Sequence, residues 1–207
     1  PLSAAQREVA DAIRDSALRM SAQVNNLLDM ARLEAGAAPL HRDWQPLEEV
    51  VGSALAASSE ALAGRALHVN LPDDLPLLHL DAVLFERVLV NLLENAAKYT
   101  PSGSAITLGA EATTREVSLW VDDEGPGLPE GAQERIFEKF ERGSRESSLP
   151  GVGLGLAICR AIVQAHGGRI QGSNRRAHGS IAGARFTIVL PRGEPPQDDG
   201  TGKSTTL

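Results

Sequence analysis

Hydrophobic residues recur at helical spacing through the N-terminal segment of the chain. The stretch from Gln6 to Ala35 contains neither proline nor glycine, and Gly36 and Pro39 then end the pattern. A helix of about 30 residues is roughly 45 Å long, which exceeds the core of a small domain. The pattern therefore predicts a helix that packs against partner helices in a bundle. Its apolar positions are Val9, Ile13, Met20, Val24, Leu27, Leu28, Ala31 and Leu33.

The remainder of the chain alternates between helical and strand patterns. Pro46 suits the first turn of a helix, and Asp81 suits the N-cap of another, which Thr100–Gly103 ends. We predict helices over 46–64, 81–99, 136–140 and 153–166, and strands over 67–71, 77–80, 105–110, 117–121, 169–173 and 184–190. Residues 41–45 read as a polar connector, and the Pro- and Gly-rich residues 193–207 as a disordered tail.

Composition and charge then narrow the class of protein. The 207 residues carry a net charge of −7 and only 3% aromatic residues, which argues against a nucleic-acid or anionic-membrane surface. No apolar stretch is long enough to span a bilayer, and the first residues do not resemble a signal peptide. The single cysteine, Cys159, excludes a disulfide framework and a zinc-finger-like site. We expect a soluble α/β protein of a reducing compartment.

A polar stripe interrupts the otherwise apolar helix predicted over 81–99. Asn91, Asn95 and Lys98 lie at positions i, i+4 and i+7, within an arc of about 60°, and Tyr99 lies beside them. Amide oxygens are suitable ligands for Mg²⁺, and a lysine neutralises phosphate charge. The alternative is an ordinary polar face in which Glu94 and Lys98 form an i, i+4 pair.

Two glycine-rich segments add further candidate chemistry. The strand over 117–121 runs into Asp122, Asp123 and Glu124 and then into Gly125-Pro126-Gly127. A carboxylate at a strand end can accept the exocyclic amine of an adenine, and the glycines let backbone approach the ring. By itself, an acidic glycine turn is most often only a turn.

The second segment is Pro150–Leu156, which opens directly into a helix. Glycines at 151, 153 and 155 free backbone N–H groups at the helix N-terminus for an anion, and the polar residues 143–149 before them could close as a lid. The spacing is not that of a dinucleotide-binding fingerprint. A P-loop at Gly202-Lys203-Ser204 is rejected, because Gln197 stands where that motif needs glycine.

In this order and spacing, the segments resemble the catalytic, ATP-binding domain of sensor histidine kinases over about residues 6–191. Asn91–Tyr99 is similar to the N box, Asp123–Gly127 to the first glycine box, Phe137–Phe140 to the F box, and Gly151–Leu156 to the second glycine box. Val24–Gly36 resembles the end of the second dimerisation helix. Residues 47–55 and 150–168 most resemble the KdpD-type potassium-sensing kinases.

The resemblance implies an α+β fold. It is a two-layer α/β sandwich of the Bergerat type, in which a mixed sheet is backed by helices and ATP lies beneath a flexible lid. A long helix from a dimerisation bundle precedes it. The implied domains are the second helix of the dimerisation and phosphotransfer domain over 1–38, the ATP-binding domain over 44–192, and the tail over 193–207.

The resemblance also implies roles for individual residues. Asp123 would read the adenine amino group, Asn95 would bind Mg²⁺, and Tyr99 would pack near the adenine and ribose. Asn91, Asn95 and Lys98 would form the catalytic set. The phosphates would face Asn91, Lys98 and Arg142, while the backbone of Gly125, Gly127, Gly151, Gly153, Leu154, Gly155 and Leu156 would line the nucleotide and the lid hinge. Phe137 and Phe140 would anchor the lid, and core packing explains them equally well. Gly179–Phe186 matches the last glycine box only loosely, so no contacts are expected there.

One position separates two reaction types. Related gyrase, Hsp90 and MutL ATPases carry a glutamate that activates water at the position of Asn91, and an amide cannot take a proton at neutral pH. We therefore expect phosphoryl transfer from ATP to a histidine. The five histidines of the chain do not match the acceptor pattern, so we expect the acceptor on a dimerisation helix absent from this chain. The alternatives are an ATP-hydrolysing enzyme of the same fold and a non-catalytic nucleotide-binding or dimerising module.

The expected partners follow from the same resemblance. They are ATP, a response regulator whose aspartate receives the phosphoryl group, and a second copy of the full-length protein, with no nucleic acid. The chain would be the cytoplasmic portion of an inner-membrane sensor kinase, without a membrane segment of its own.

Overall fold

The computed structural model describes residues 3–34, 39–139 and 153–195. A long helix is followed by an α/β unit in which the helices lie on one side of a sheet. The helices are α1 (Ala4–Glu34), α2 (Leu47–Ala57), α3 (Ala82–Tyr99) and α4 (Gly155–Ala165), with a 3₁₀ turn at Arg135–Phe137. The strands are β1 (Asp43–Gln45), β2 (Ala66–Asn70), β3 (Leu78–Leu80), β4 (Ala105–Ala112), β5 (Glu116–Asp122), β6 (Arg169–Ala177) and β7 (Ser180–Pro191).

The main sheet has five strands in the order β2-β4-β5-β7-β6. Strands β2 and β4 are parallel, and the other neighbours are antiparallel, so the sheet is mixed. A separate two-stranded sheet pairs β1 with β3. The alternation of β5 buries Val117, Leu119 and Val121 on the helix side. The predicted α+β fold, a mixed sheet backed by helices, is confirmed.

The core lies between this sheet and the helices α2, α3 and α4. Helix α3 is amphipathic, and the apolar residues that recur every three to four positions on one face are buried. Asp81 caps its N-terminus by accepting a hydrogen bond from the Leu84 N–H at 3.1 Å. The buried α3 residues are Phe85, Val88, Leu89, Leu92, Leu93, Ala96 and Ala97. This packing fixes the direction in which the opposite, polar face of α3 points.

Some element boundaries predicted from local sequence patterns differ from those in the structure. The predicted connector over 41–45 contains β1, whose Trp44 ring stacks on His79 of β3 at 5.1 Å between ring centroids. That pairing joins segments distant in sequence, so no local pattern reveals it. The helix predicted to reach residue 64 ends at Ala57, and the turns after it bury Leu62. The helix predicted over 136–140 is a 3₁₀ turn within the described residues.

Helix α1 forms where the pattern predicted it, and five apolar side chains of the predicted stripe are exposed. The exposed apolar side chains are Val9, Ile13, Met20, Val24 and Leu28, with exposed fractions from 49% to 65%. The helix contacts α4 of the α/β unit. Among the described residues, no helix has the length and apolarity needed to cross a membrane.

A buried histidine, His166 at the C-terminal end of α4, is hydrogen-bonded to Asp81 at the N-terminal end of α3. The His166 Nε2 accepts a hydrogen bond from the Asp81 N–H at 2.9 Å, and its Nδ1 lies 2.7 Å from the Ile162 carbonyl oxygen. Because a backbone N–H can only donate, Nε2 must be unprotonated and Nδ1 must carry the hydrogen. Asp81 in turn accepts a hydrogen bond from the His41 N–H through Oδ2. His166 is thus held as the neutral imidazole.

We expect this junction to make the stability of the protein fall in mild acid. Burial is the main cause that lowers the pKa of His166 below its ordinary value. The unfolded chain therefore binds more protons than the folded one as the pH drops below about 6.5, and the free energy of unfolding decreases until the lowered folded pKa is passed. Denaturant titrations between pH 8 and about 5 should show this slope in the wild type and not in His166→Gln. The exposed His68→Gln serves as the control and should retain the slope.

Candidate functional site

The structure brings the first glycine segment against the end of α3. A Cβ added at Gly125 would lie 2.8 Å from the Tyr99 carbonyl oxygen and 3.0 Å from Asp123 Oδ1. Only a residue without a side chain allows this approach. Asp123, Gly125 and Tyr99 therefore meet at one place, as a shared nucleotide site requires.

The second glycine segment meets the same helix about two turns earlier. A Cβ added at Gly155 would lie 3.0 Å from Asn91 Oδ1, so the first residue of α4 faces the polar stripe of α3. The Asn91 Nδ2 donates to the Arg87 carbonyl at 3.0 Å, which fixes the direction of the amide. Gly153, Leu154 and Leu156 surround this junction; Leu154 is buried, and Gly153 and Leu156 are half-buried. Gly151, Phe140 and Arg142 lie outside the described residues.

The polar stripe of α3 runs along the site between these two junctions. Asn91, Asn95, Lys98 and Tyr99 are all half-buried, while Leu92, Leu93, Ala96 and Ala97 between them lie in the core. The Lys98 Nζ lies 4.7 Å from the centroid of the Tyr99 ring. The Asn95 side chain has no hydrogen-bond partner within the described parts of the chain. The stripe thus places two amides, one cation and one phenol beside the two glycine turns.

Asp123 is the buried carboxylate of the site, with 5% of its surface exposed. Its Oδ1 accepts hydrogen bonds from the Gly125 N–H at 2.8 Å and the Ala184 N–H at 3.0 Å. Burial raises the pKa of this carboxyl above its ordinary range, while the two N–H donors and the Arg175 guanidinium oppose the rise. No hydrogen bond reaches Oδ2 from any described residue, so one oxygen is held in place and the other is available to a ligand.

Gly183 is a site residue to which the sequence motifs assigned no contact. A Cβ there would lie 1.9 Å from the Asp123 carbonyl oxygen, and the backbone has φ +141°, which side chains rarely adopt. The carbonyl of the following residue, Ala184, accepts a hydrogen bond from the Asp123 N–H at 3.0 Å, and the Ala184 N–H donates to Asp123 Oδ1 at 3.0 Å. The loose glycine match over 179–186 was the signal for this contact, although it carried no partner.

Arg65 is a second residue that no motif indicated. Its guanidinium donates to the carbonyls of Thr100 and Pro101 at 2.9 Å each, and also to the Ala97 carbonyl. These carbonyl groups lie at the C-terminal end of α3, where carbonyl oxygens lack N–H donors from the same helix. Arg65 thereby fixes the helix end from which Tyr99 reaches the site.

Gly127 and Phe137 lie beside the nucleotide motifs without joining α3. A Cβ at Gly127 would lie 2.6 Å from Asn174 Oδ1, and the glycine has φ +76°. Phe137 is buried edge-on against Phe186, with 6.3 Å between ring centroids, and carries the Arg160 guanidinium over its face at 4.5 Å. Core packing therefore accounts for Phe137 within the described residues.

A cavity of about 250 Å³ lies elsewhere, at the far end of β7. Arg42, Trp44, His79 and His166 line it, and none of the predicted site residues does. Its surroundings combine cations, one carboxylate and ordinary apolar side chains, with both nitrogens of His166 already bonded. The convergence of motifs, and not this cavity, marks the functional site.

Comparisons with known proteins show the family of the chain. The family described as histidine kinase-, DNA gyrase B- and HSP90-like ATPases matches residues 80–194, more than half of the chain. The chain is 48% identical over 188 residues to the sensor protein KdpD of Escherichia coli strain K12, covering 91% of this chain and 20% of that protein. It is 37% identical over 171 residues to KdpD of Clostridium acetobutylicum, covering 82% of this chain and 19% of that protein.

A solved structure gives the same picture. Full-length ShkA in complex with AMPPNP superposes with a TM-score of 0.79 at 29% identity, covering 92% of this chain and 40% of that one. The chain thus spans about a fifth of the length of its KdpD relatives. The chain therefore belongs to the histidine kinase-, DNA gyrase B- and HSP90-like ATPases, as a catalytic domain of the sensor histidine kinase type, which confirms the resemblance drawn from its motifs.

Proposed function

We propose that this chain is the ATP-binding kinase core of a two-component sensor histidine kinase. It transfers the γ-phosphoryl group of ATP to a histidine on a dimerisation helix outside this chain, for relay to an aspartate of a response regulator. The single observation that carries the proposal is Asp123, held by two backbone N–H groups where the first glycine segment meets the end of α3.

The bound nucleotide is assigned from the chemistry of the site. Asp123 Oδ2 accepts the exocyclic amine of adenine, and the Gly125 and Gly127 backbone lies along the ring. Tyr99 packs near the adenine and ribose, while Lys98 and the start of α4 face the phosphates. Backbone N–H groups at a helix N-terminus and a lysine are both suited to phosphate charge.

Asn95 fits a magnesium ion that is bound chiefly by nucleotide phosphates. The described residues hold no group of three or more His, Cys, Asp or Glu side chains that could bind a metal alone. Mg²⁺ in phosphate-transfer sites is commonly held by one or two protein oxygens together with phosphates and water, and the Asn95 amide supplies such an oxygen. When bound, the ion neutralises charge on the transferred phosphoryl group.

Asn91 favours transfer over hydrolysis. Its Nδ2 donates to the Arg87 carbonyl, so its Oδ1 is turned toward Gly155 at the phosphate end of the site. An amide oxygen orients groups by hydrogen bonding and takes no proton from water at neutral pH. The site therefore positions ATP and neutralises charge, and leaves activation of the nucleophile to the acceptor.

The histidines of the chain support an acceptor located elsewhere. His41, His68, His79 and His178 are exposed on the α/β unit, and none lies on α1. His166 is buried and engages both ring nitrogens in hydrogen bonds. A histidine of a partner helix fits the proposed chemistry better. The exposed apolar stripe of α1 suits the packing of such a helix and of a second copy.

We expect the chain to label a histidine supplied on a separate helix. The experiment mixes the chain and γ-labelled Mg-ATP with a separately expressed two-helix dimerisation segment that carries the acceptor histidine. The label should appear on the segment as an acid-labile phosphohistidine, with little free phosphate. A segment with the acceptor histidine replaced by glutamine is the matched control and should remain unlabelled. Asn95→Ala should lower the labelling rate by about 100-fold or more.

Other results of this experiment would support one of the two alternative functions. Steady phosphate release without labelled segment would favour an ATP-hydrolysing enzyme of the same fold. Binding of Mg-ATP with neither transfer nor release would favour a nucleotide-binding or dimerising module, in which α1 is the main functional element. The same proposal includes a response regulator as partner, a homodimer of the full-length protein, and a cytoplasmic position at an inner membrane.

A further inference from the structure

Two adjacent residues of β6 hold both ends of the segment from Asp123 to Leu128. Asn174 Nδ2 donates to the Leu128 carbonyl at 2.9 Å, and its Oδ1 accepts from the Leu128 N–H. The Arg175 Nη1 donates to the Asp123 carbonyl at 2.9 Å. The segment between these anchors contains both glycines of the first glycine motif. Its shape is therefore set from another strand.

We propose that Asn174 and Arg175 are positioning residues for adenine recognition. They act by fixing the segment 123–128, so that Asp123 Oδ2 stands where the exocyclic amine of the base arrives. This assignment rests on the proposed function of the site as an ATP site. Neither residue belongs to a motif found in the sequence, and neither is one of the candidate nucleotide contacts.

The pairing of β6 with β7 is irregular next to the two anchors. Here the pairing of β6 with β7 shifts its register between Arg175 and Arg176, because Arg175 pairs with Gly183 and Arg176 pairs with Ile181. The extra residue, Ala182, lies on β7, and such a bulge increases the local twist. It stands beside Gly183, where an added Cβ would lie 1.9 Å from the Asp123 carbonyl oxygen.

The amide anchor depends on a glycine in the segment itself. At Gly127, a Cβ would lie 2.6 Å from Asn174 Oδ1 and 2.4 Å from Ile181 Cγ2. A side chain at 127 would force the segment away from β6. Gly127 thus permits the close approach through which Asn174 engages both the N–H and the carbonyl of Leu128.

The arginine anchor is part of a charged cluster on the outer side of the sheet. Arg175 Nε lies 3.3 Å from Asp122 Oδ2, and Arg185 binds both oxygens of Asp122 at 2.6 and 2.7 Å. Asp122 is buried and is compensated by these two guanidinium groups. Arg175 therefore ties the end of β5 to β6 through a side-chain carboxylate and a main-chain carbonyl together. It is also the cation that favours the ionised form of Asp123.

The test compares ATP with purine riboside triphosphate, which lacks the exocyclic amine, in calorimetric titrations with Mg²⁺. For Arg175→Met and for Asn174→Ala, we expect affinity for ATP to fall about tenfold and affinity for the analogue to change less than about twofold. A purely structural role would lower both affinities equally. The exposed neighbour Arg176→Met is the control and should match the wild type for both nucleotides.

A pH series separates charge from geometry. The charged groups around Asp123 are Arg175 of β6, Asp122 of its own strand, and Arg185 of β7 bound to Asp122. Loss of Arg175 removes a cation, so the acid limb of ATP binding should move to higher pH in Arg175→Met. Arg175→Lys retains the charge and should keep the limb near its wild-type position. Melting temperatures of the free variants identify any that fail to fold.

The outcomes are distinct. Equal loss for both nucleotides in well-folded variants, or no loss for either, would overturn the positioning assignment while leaving the ATP site intact. If Arg175→Met does not fold, Asn174→Ala and Arg175→Lys replace it, and the loss of affinity for ATP is compared with the loss for the analogue in the same way. Failure of the folded wild type to bind Mg-ATP would overturn the proposed function, and the positioning role with it.

Discussion

Replacing Asp123 by asparagine is expected to weaken Mg-ATP binding about 100-fold while leaving the fold intact. Asparagine keeps an oxygen that can accept from the Gly125 and Ala184 N–H groups, which hold the present Oδ1. Its NH₂ group then replaces Oδ2 and presents a donor to the donor amine of adenine. A hydrogen bond to a charged group contributes about 1.5–3 kcal/mol, which corresponds to a factor of about 10 to 150 in affinity.

The matched control for this change is the neighbouring carboxylate. Glu124 is exposed, and its Oε2 accepts from the Ala105 N–H at 2.9 Å, away from the site. Glu124→Gln removes the same charge and should change Mg-ATP affinity by less than about threefold. Calorimetric titration of both variants measures the difference. Equal binding by Asp123→Asn and wild type would remove the adenine role from this residue.

The same carboxylate should make nucleotide binding weaken in acid. Burial raises the pKa of Asp123, so this group protonates at a higher pH than an ordinary aspartate. In the proposed contact with the adenine amine, the ionised carboxylate is the better acceptor, and affinity should therefore fall as the pH drops through the raised pKa. The titrating phosphates of ATP contribute to the same slope, and the Asp123→Asn variant retains only their part. The difference between the two pH profiles reports Asp123 alone.

The parts of the site that were predictable are those coded by local sequence. The polar stripe of α3 follows from helical spacing, because residues at i, i+4 and i+7 share a face wherever the helix forms. Asp123 beside Gly125 follows from a strand pattern that runs into acids and glycines. Backbone conformation and side-chain direction at these positions depend on residues near in sequence, so the sequence pattern was sufficient to predict where these side chains lie on their elements.

The parts that were not predicted depend on contacts between distant segments. Asn174 and Leu128 are 46 residues apart, and Ala184 and Asp123 are 61 residues apart. No spacing rule links such pairs until the strand order brings β6 and β7 beside β5. The same holds for β1, which exists only because β3 pairs with it. An arginine such as Arg65 is an ordinary surface residue in the sequence and becomes a helix cap only in the fold.

Gly183→Ala is expected to disrupt the site severely, although it adds only one methyl group. The new Cβ would lie 1.9 Å from the Asp123 carbonyl oxygen, at a backbone φ of +141°. The clash is with main chain, so no side-chain rotation relieves it. Backbone strain and overpacking together cost on the order of 4 kcal/mol. We expect a melting temperature lower by about 10 °C and Mg-ATP binding reduced beyond detection in titrations of the variant.

A substitution at a second glycine of the same hairpin distinguishes the effect of the steric clash from the effect of the backbone conformation. Gly179 also has a positive φ, of +80°, but a Cβ there would meet no atom within 4 Å. Gly179→Ala should therefore cost only about 1–2 kcal/mol, the strain of a left-handed alanine, and should bind Mg-ATP as the wild type does. If both variants lost stability equally and both still bound nucleotide, the approach of Gly183 to Asp123 would be irrelevant to the site. If only Gly183→Ala loses binding, β7 is part of the adenine pocket because it fixes the main chain of the residue that reads the base.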